Sequence, residues 1–331
     1  MVAPSVAPLA GRRVLDLGAL CAQRPHGLAA SLAARLCASY GAEVVRPVPE
    51  GGEPLAQAAP LLPGGGSALD RFLNLGKHAG TATGHFDVAI GDGEALAAHA
   101  SEVPVKARIS VFGPGEDGPM SELGLLALSG LLGIVGEAEG PPARLAGHQA
   151  AYAAGLAACT GILAALRAGG EEVVDVSLLD VATWLNWKVA AGVLVLGSSP
   201  VRGGARADWY TVPAKDGHVA LVYQEKDWPG LRRAVGDPRL DDARFDTASG
   251  RRKHRADFLA ILGPWFAART RAEVTSAAQA NRVPVGPVKW PAELLTDAQN
   301  QARGFLGPDG TPALPISWNG RRVTPETAHA A

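Results

Sequence analysis

The chain has 331 residues, and a prior of about 150 residues per domain points to two domains, not one. Hydrophobic residues make up 47% and charged residues 19%, a balance that excludes a disordered chain. The formal net charge of −1 gives no electrostatic case for nucleic acid or an anionic membrane surface; a local basic pocket for a phosphorylated ligand stays open.

Residues 14–17, Val-Leu-Asp-Leu, read as a first strand opening after Gly11. Residues 28–40 are rich in Ala and Leu, with Arg35 among them, and read as a helix that Gly41 ends as a C-cap glycine would. Residues 42–46 are a second strand. Strand, helix and strand within about 35 residues make a βαβ unit and therefore a parallel sheet. Residues 47–66, rich in Pro, Gly and Ala, form a loop. Strands are expected at 86–90, 107–112 and 173–176. The alanine-rich stretch 148–168 reads as a helix that packs closely, because alanine leaves little bulk. A further helix is expected over 177–196.

Composition shifts near residues 197–206, where Gly203-Gly204 and neighbouring Ser, Pro and Arg suggest a linker. This gives a large α/β domain from 1–196 with 296–331, a linker at 197–207, and a smaller α+β domain at 208–295. The smaller domain is expected to hold a strand at 219–223 and helices at 255–268 and 271–280. The tail, 311–331, is polar, and no internal repeat is present.

Cys21, Cys37 and Cys159 are odd in number and too widely spaced for a common zinc motif, so they read as reduced, buried, small apolar residues and no metal is expected. Residues 1–10 lack a basic region followed by an apolar stretch, so no signal peptide is expected and the cytoplasm is the default. The apolar runs at 123–135 and 189–196 are too short or too broken by Gly to span a bilayer.

Several segments, in order, resemble the class III CoA-transferases, a family that includes formyl-CoA and carnitine CoA-transferases and α-methylacyl-CoA racemase. Gly11-Arg12-Arg13-Val14-Leu15-Asp16-Leu17 and Gly41-Ala42-Glu43-Val44-Val45-Arg46 are similar to its first two strands. Phe72-Leu73-Asn74-Leu75-Gly76-Lys77 resembles its Asn-x-x-Lys segment, and residues 111–119, Val-Phe-Gly-Pro-Gly-Glu-Asp-Gly-Pro, its Gly-Pro loop. Residues 161–166 and 174–180 match its central helix and the strand that follows. Asp216-Gly217, Val283-Pro284-Val285-Gly286-Pro287-Val288 and Arg303-Gly304-Phe305 match its small domain and what comes after. The resemblance implies a Rossmann-like large domain with a smaller α+β domain, two chains threaded as interlocked rings, no tightly bound cofactor, and coenzyme A or an acyl-CoA as substrate.

Three departures stand against that pattern. The family's transferases carry an aspartate about four residues before the glycine matched by Gly155; it forms an acyl anhydride and then a CoA thioester. Here Ala151 takes that place, and no Asp or Glu occurs between Arg144 and Gly170. The racemases' acid–base pair also lacks counterparts, since their Asp shares this region and their His has no match in residues 123–130. The family's Glu-Asn-Phe-Arg-Pro-Gly loop is replaced by Ile90-Gly91-Asp92-Gly93, and Arg24-Pro25-His26-Gly27 sits in an extra stretch of about seven residues on that alignment. The family's closing segment has no match after Trp318.

The candidate residues follow from these matches and from residue chemistry. Lys77 and Arg46 are candidate cations for CoA phosphates; Asn74, Gly113 and Gly115 lie in the matched segments. His148, Gln149 and Tyr152 occupy the old catalytic segment. On a helix His148 and Tyr152 share a face, fit for acid–base work or for orienting a thioester oxygen, or for packing beneath an emptied site. Backbone N–H groups around 113–118 are candidates to hold the carbonyl oxygen. Glu225 is a candidate to face the cleft, or a surface charge. Asp175 and Asp180 read as structural. Gly64-Gly65-Gly66-Ser67 has no following Lys at phosphate-loop spacing. The expectation is a protein acting on or binding an acyl-CoA or related thioester without an aspartyl intermediate. Its alternatives are an idle subunit paired with an Asp-bearing homologue and a recruited enzyme with a non-CoA substrate. The expected partners are a small-molecule thioester or acid and a second copy or paralogue, with neither nucleic acid nor membrane.

Overall fold

The computed structural model describes residues 7–21, 24–115, 118–137, 139–198, 202, 210–307, 309–318 and 320–322. The chain divides into two compact units, one of residues 1–135, 142–200 and 299–331, the other of 136–141 and 201–298. Most of the expected linker at 197–207 lies outside the described residues.

The first unit runs β1 (Arg13–Asp16), α1 (Arg24–Ser39), β2 (Glu43–Arg46), α2 (Ala68–Asn74), β3 (His78–Ala79), β4 (Val88–Gly91), α3 (Gly93–His99), β5 (Val105–Ser110), α4 (Glu122–Leu128), α5 (Gln149–Ala168), β6 (Glu172–Ser177), α6 (Leu178–Leu185) and α7 (Trp187–Leu196). Its strands form one parallel sheet in the order β3-β2-β1-β4-β5-β6, the doubly wound arrangement. Side chains alternate between the two faces, as the strand period of two requires. Val14, Val44, Val88, Ile90, Ala107 and Ile109 point to one side and pack with α1 and α5. Leu15, Val45 and Ala89 point to the other and pack with Ala95, Leu96 and Ala100 around α3.

The close packing of α1 on α5 follows from small side chains. Ala29, Ala30, Ala33, Ala150, Ala154 and Ala158 are all fully buried there. At Gly155 an added Cβ would stand 2.8 Å from the Ala29 carbonyl oxygen and 2.9 Å from Leu32 Cβ, so only glycine permits this approach. At 20 residues and a mean hydropathy of 1.5, α5 is long and apolar enough to cross a membrane by composition, but its Ala and Ile face is part of this core. Cys37 of α1 and Cys159 of α5 are buried neighbours, Cys21 is half-buried, and all three are free thiols.

The helix expected over 177–196 is two helices, α6 and α7, bent by 59°. The break falls at Asn186, at φ −100° and ψ 7°, whose buried side chain donates to the Ser129 carbonyl at 3.1 Å. Glycine does end α1 as expected, with Gly41 at φ 92°. None of α7 is buried: Trp187, Leu194, Val195 and Leu196 are all exposed, and Trp184 of α6 with them.

The second unit contains β7 (Tyr210–Ala214), β8 (Gly217–Leu221), α8 (Trp228–Val235), α9 (Ala248–Lys253), α10 (Arg255–Ala267), α11 (Arg271–Ala280) and β9 (Val285–Val288). Its antiparallel sheet has the order β7-β8-β9. Phe258 is the centre of its core, within 5.8–6.4 Å of the rings of Tyr210, Tyr223, Trp228 and Phe245. This is the expected smaller α+β unit. Then come α12 (Ala298–Arg303) and a two-stranded ribbon, β10 (Ser317–Trp318) with β11 (Arg321–Arg322).

Candidate active site at the start of the central helix

In an open parallel sheet, ligands bind outside the carboxyl ends of the strands where strand order reverses. Here that point lies between β1 and β4, and it is filled by the protein's own charges. Lys77 Nζ donates to Asp16 Oδ2 at 2.6 Å, to the Ser31 carbonyl at 2.8 Å and to Asn74 Oδ1 at 3.3 Å. All three of its donors are used, its side chain is 1% exposed, and burial pulls its pKa down against the pull of Asp16. Arg46 is buried too, paired with Glu53 and 4.0 Å from Asp16. The expected phosphate cations are thus internal ones, because a carboxylate 61 residues away from Lys77 claims the ammonium. Asn74 is held from both sides, donating to Asp70 Oδ1 at 2.6 Å and accepting from Lys77. On the same crevice, His26 Nδ1 lies 3.8 Å from Asp92 Oδ2, both side chains buried.

The start of α5 is different. A cleft of about 760 Å³ opens there, lined by Pro25 and Leu28 of α1, Pro119 to Leu123 at the head of α4, and Arg144 and His148. Ala151, the position that the resemblance matches to the transferases' aspartate, is fully buried in α5. His148 is the N-cap residue, yet its side chain makes no capping bond. The cap comes from α4 instead: Glu122 Oε1 accepts from the Ala150 N–H at 2.7 Å. Glu122 Oε2 is buried, and the Ala151 N–H also points at the carboxylate. Burial pushes the Glu122 carboxyl above its ordinary value, while the Ala150 and Ala151 amides and the charge of Arg144 pull the other way.

Tyr152 stands one turn below, half-buried, with its ring centroid 6.1 Å from His148 edge-on and 6.3 Å from Phe72. Burial and the nearby Glu122 charge raise the Tyr152 phenol, and Arg35 opposes them. Arg35 lies over Phe72 at 4.1 Å and donates to the Pro312 carbonyl; its burial lowers it to about 10. The expected pairing of His148 with Tyr152 on one face is therefore present. Gln149 is exposed and turns back to the Ala146 carbonyl at 2.9 Å. Arg144 is exposed at the cleft and, among the described residues, makes no hydrogen bond or ion pair.

The Gly-Pro loop contributes less than expected. Gly113 N–H donates to Ser110 Oγ at 3.0 Å, Gly115 is exposed, and residues 116 and 117 lie outside the described set. Glu225 belongs to the second unit and has a structural role there. It accepts from the Ala248 N–H and from Arg251, a guanidinium that is 1% exposed and lies 4.6 Å over Trp228. A smaller hollow of about 440 Å³ on that unit is lined by Arg232, Arg233 and Asp241, but Arg232 is already paired with Asp241. No group of His, Cys, Asp and Glu that could hold a metal occurs among the described residues.

Comparison with known proteins decides the family. The model of CoA-transferase family III matches residues 93–327. The chain belongs to that family. Among curated relatives, the succinate–glutarate CoA-transferase of Agrobacterium fabrum is 28% identical over 211 residues, covering 59% of this chain and 53% of that protein. The succinyl-CoA–D-citramalate CoA-transferase of Chloroflexus aurantiacus is 26% identical and covers 89% of this chain and 82% of that one. The chain spans about half the length of most curated relatives it matches. A CaiB/BaiF family protein from Brucella suis shares the fold, with a TM-score of 0.80 at 23% identity over 96% of this chain and 94% of that chain.

The residue that sequence reasoning missed is Glu122. Ser121-Glu122 carries only the signal of a helix N-cap followed by a first-turn acid, and 28 residues separate it from the amide it caps.

Proposed function

We propose that this family III protein binds a CoA thioester with its acyl group in the cleft at the start of α5, and acts on it without an aspartyl intermediate. The observation that carries the reading is the cleft itself, where a half-buried carboxylate, an exposed guanidinium and an imidazole line one space. Ala151 is buried and chemically inert, so no aspartyl adduct forms on α5. Arg144 suits a carboxylate, either of the acyl group or of a free acid, because a guanidinium fork matches a carboxylate's two oxygens. Coenzyme A thioesters are molecules of the cell interior, and the reading carries a cytoplasmic location with it.

The reading includes a second copy of the chain. Trp184 at 70% exposure, Trp187 at 60% and Leu194 at 87% are large apolar side chains left exposed on α6 and α7. A homodimer covers them. Calorimetric titration of the chain with acetyl-CoA, succinyl-CoA and free CoA tests the ligand. Heat of binding with a thioester supports the reading, and none with all three overturns it. Light scattering at micromolar concentration tests the second copy, and a monomer overturns that part.

A further inference from the structure

We infer that Met120 sets the length of acyl chain that the cleft at the start of α5 accepts, and that Gly124 seats it there. The inference rests on the thioester reading above and adds the residue that selects among thioesters.

The argument begins with what lines the cleft. Part of its wall is apolar: Pro25 and Leu28 of α1, and Pro119, Met120 and Leu123 at the head of α4. An acyl chain gains affinity from such a wall by covering it, about fourfold for each buried methylene. Most of this wall is fixed. The proline rings lock their own backbone, and Leu28, at 2% exposure, belongs to the core beneath. Met120 is the adaptable member. It is partly buried against that same core, and its side chain is unbranched, with three rotatable bonds.

The second observation is Gly124. It lies inside α4, where glycine is a poor helix former. Its φ is not in the left-handed region, so the backbone does not call for glycine. The space around it does. A Cβ at residue 124 would stand 2.5 Å from Met120 Sδ and 3.8 Å from Met120 Cγ. The thioether therefore rests on the bare backbone of Gly124, four residues further along the chain. The atom in the way belongs to the outer part of a flexible side chain, so Gly124→Ala is accommodated by a change of rotamer at Met120, and alanine suits the helix. On this inference a Cβ at residue 124 drives the thioether into the cleft and shortens it, and removal of the side chain at residue 120 lengthens it.

The full chain, as wild type, Met120→Ala and Gly124→Ala, is titrated by calorimetry with acetyl-, butyryl-, hexanoyl- and octanoyl-CoA, and the wild type with succinyl-CoA. The straight chains carry no carboxylate, which separates the apolar wall from Arg144. In the wild type, affinity should rise with chain length up to a limit. Met120→Ala should move that limit to longer chains and Gly124→Ala to shorter ones, by roughly tenfold in affinity for the chains near the limit, with acetyl-CoA within about threefold in all three proteins. The variants shift the limit in opposite directions, so if one fails to fold the other still decides. The same ranking of chain lengths in all three proteins, or a loss by the same factor at every length, is the mark of a merely structural role at the entry of α4. Either result overturns the inference and leaves the thioester reading intact, as does a wild type that binds succinyl-CoA and none of the straight chains. Absence of binding with every thioester removes the reading and the inference together.

Discussion

Two charged regions of the first unit lie on α1 and its neighbours, and they have opposite characters. At the sheet's switch point, the side chains of Lys77, Asp16 and Arg46 are buried and ion-paired, with Glu53 paired to Arg46. At the start of α5, Arg144 is exposed at the cleft and, among the described residues, makes no hydrogen bond or ion pair. The first region has the residues that the family resemblance marks as ligand cations. The second has an exposed guanidinium at the edge of a cleft. The difference is one of exposure: the cations of the first region are internal, and Arg144 of the second faces a cleft.

The largest effect should come from the closed region. Replacing Lys77 with Met strands Asp16 in the core, and breaking one side of a buried pair costs about 3–5 kcal/mol. Urea unfolding of Lys77→Met checks this; a loss under about 1 kcal/mol would move Lys77 to the surface class of ion pairs. Next comes the contact of α1 with α5 that holds both regions in place. Gly155→Ala forces its new Cβ against the Ala29 carbonyl and Leu32, and should cost about 1–3 kcal/mol in the same measurement. An unchanged midpoint would show that the two helices part easily.

The open region should give smaller stability effects. Glu122→Ala removes a helix cap and should lose about 0.5–2 kcal/mol, whereas Glu122→Gln retains the acceptor and should lose less. Equal losses would mean that the charge, and not the acceptor, makes the cap. The smallest effect is in pH. The folded Glu122 carboxyl lies above its ordinary value of 4.5, so the unfolded chain ionises first as pH rises. Its contribution to stability is therefore greatest below that value, falls as pH climbs through it, and is flat once the folded group has ionised. Arg144, the Ala150 and Ala151 amides, Tyr152 and His148 are the groups that face it. Urea midpoints of wild type and Glu122→Gln from pH 4 to 7 should diverge in favour of the variant; divergence the other way would place the folded carboxyl below its ordinary value.

Much of the frame was legible from local pattern. The βαβ opening follows from 14–17, 28–40 and Gly41, and the long helix follows from the alanine run before Gly169. The bend between α6 and α7 was not legible: it falls at Asn186, whose side-chain partner, the Ser129 carbonyl, is 57 residues away. The site was legible only in part. His148 and Tyr152 meet because helix periodicity dictates it. The burial of Lys77 and the capping by Glu122 depend on partners 61 and 28 residues distant, which spacing along the chain does not encode.

The contrast between the two regions reduces to one pair of titrations. Succinyl-CoA is titrated by calorimetry into Arg144→Ala, from the open cleft, and into Asn74→Ala, from the closed cluster that holds the Asn-x-x-Lys segment. Loss of a charge-assisted contact is worth about 1.5–3 kcal/mol, so affinity should fall roughly ten- to hundred-fold for Arg144→Ala and stay within about threefold for Asn74→Ala. The reverse pattern, with Asn74→Ala weakened and Arg144→Ala unchanged, would contradict the account and return the ligand to the switch point.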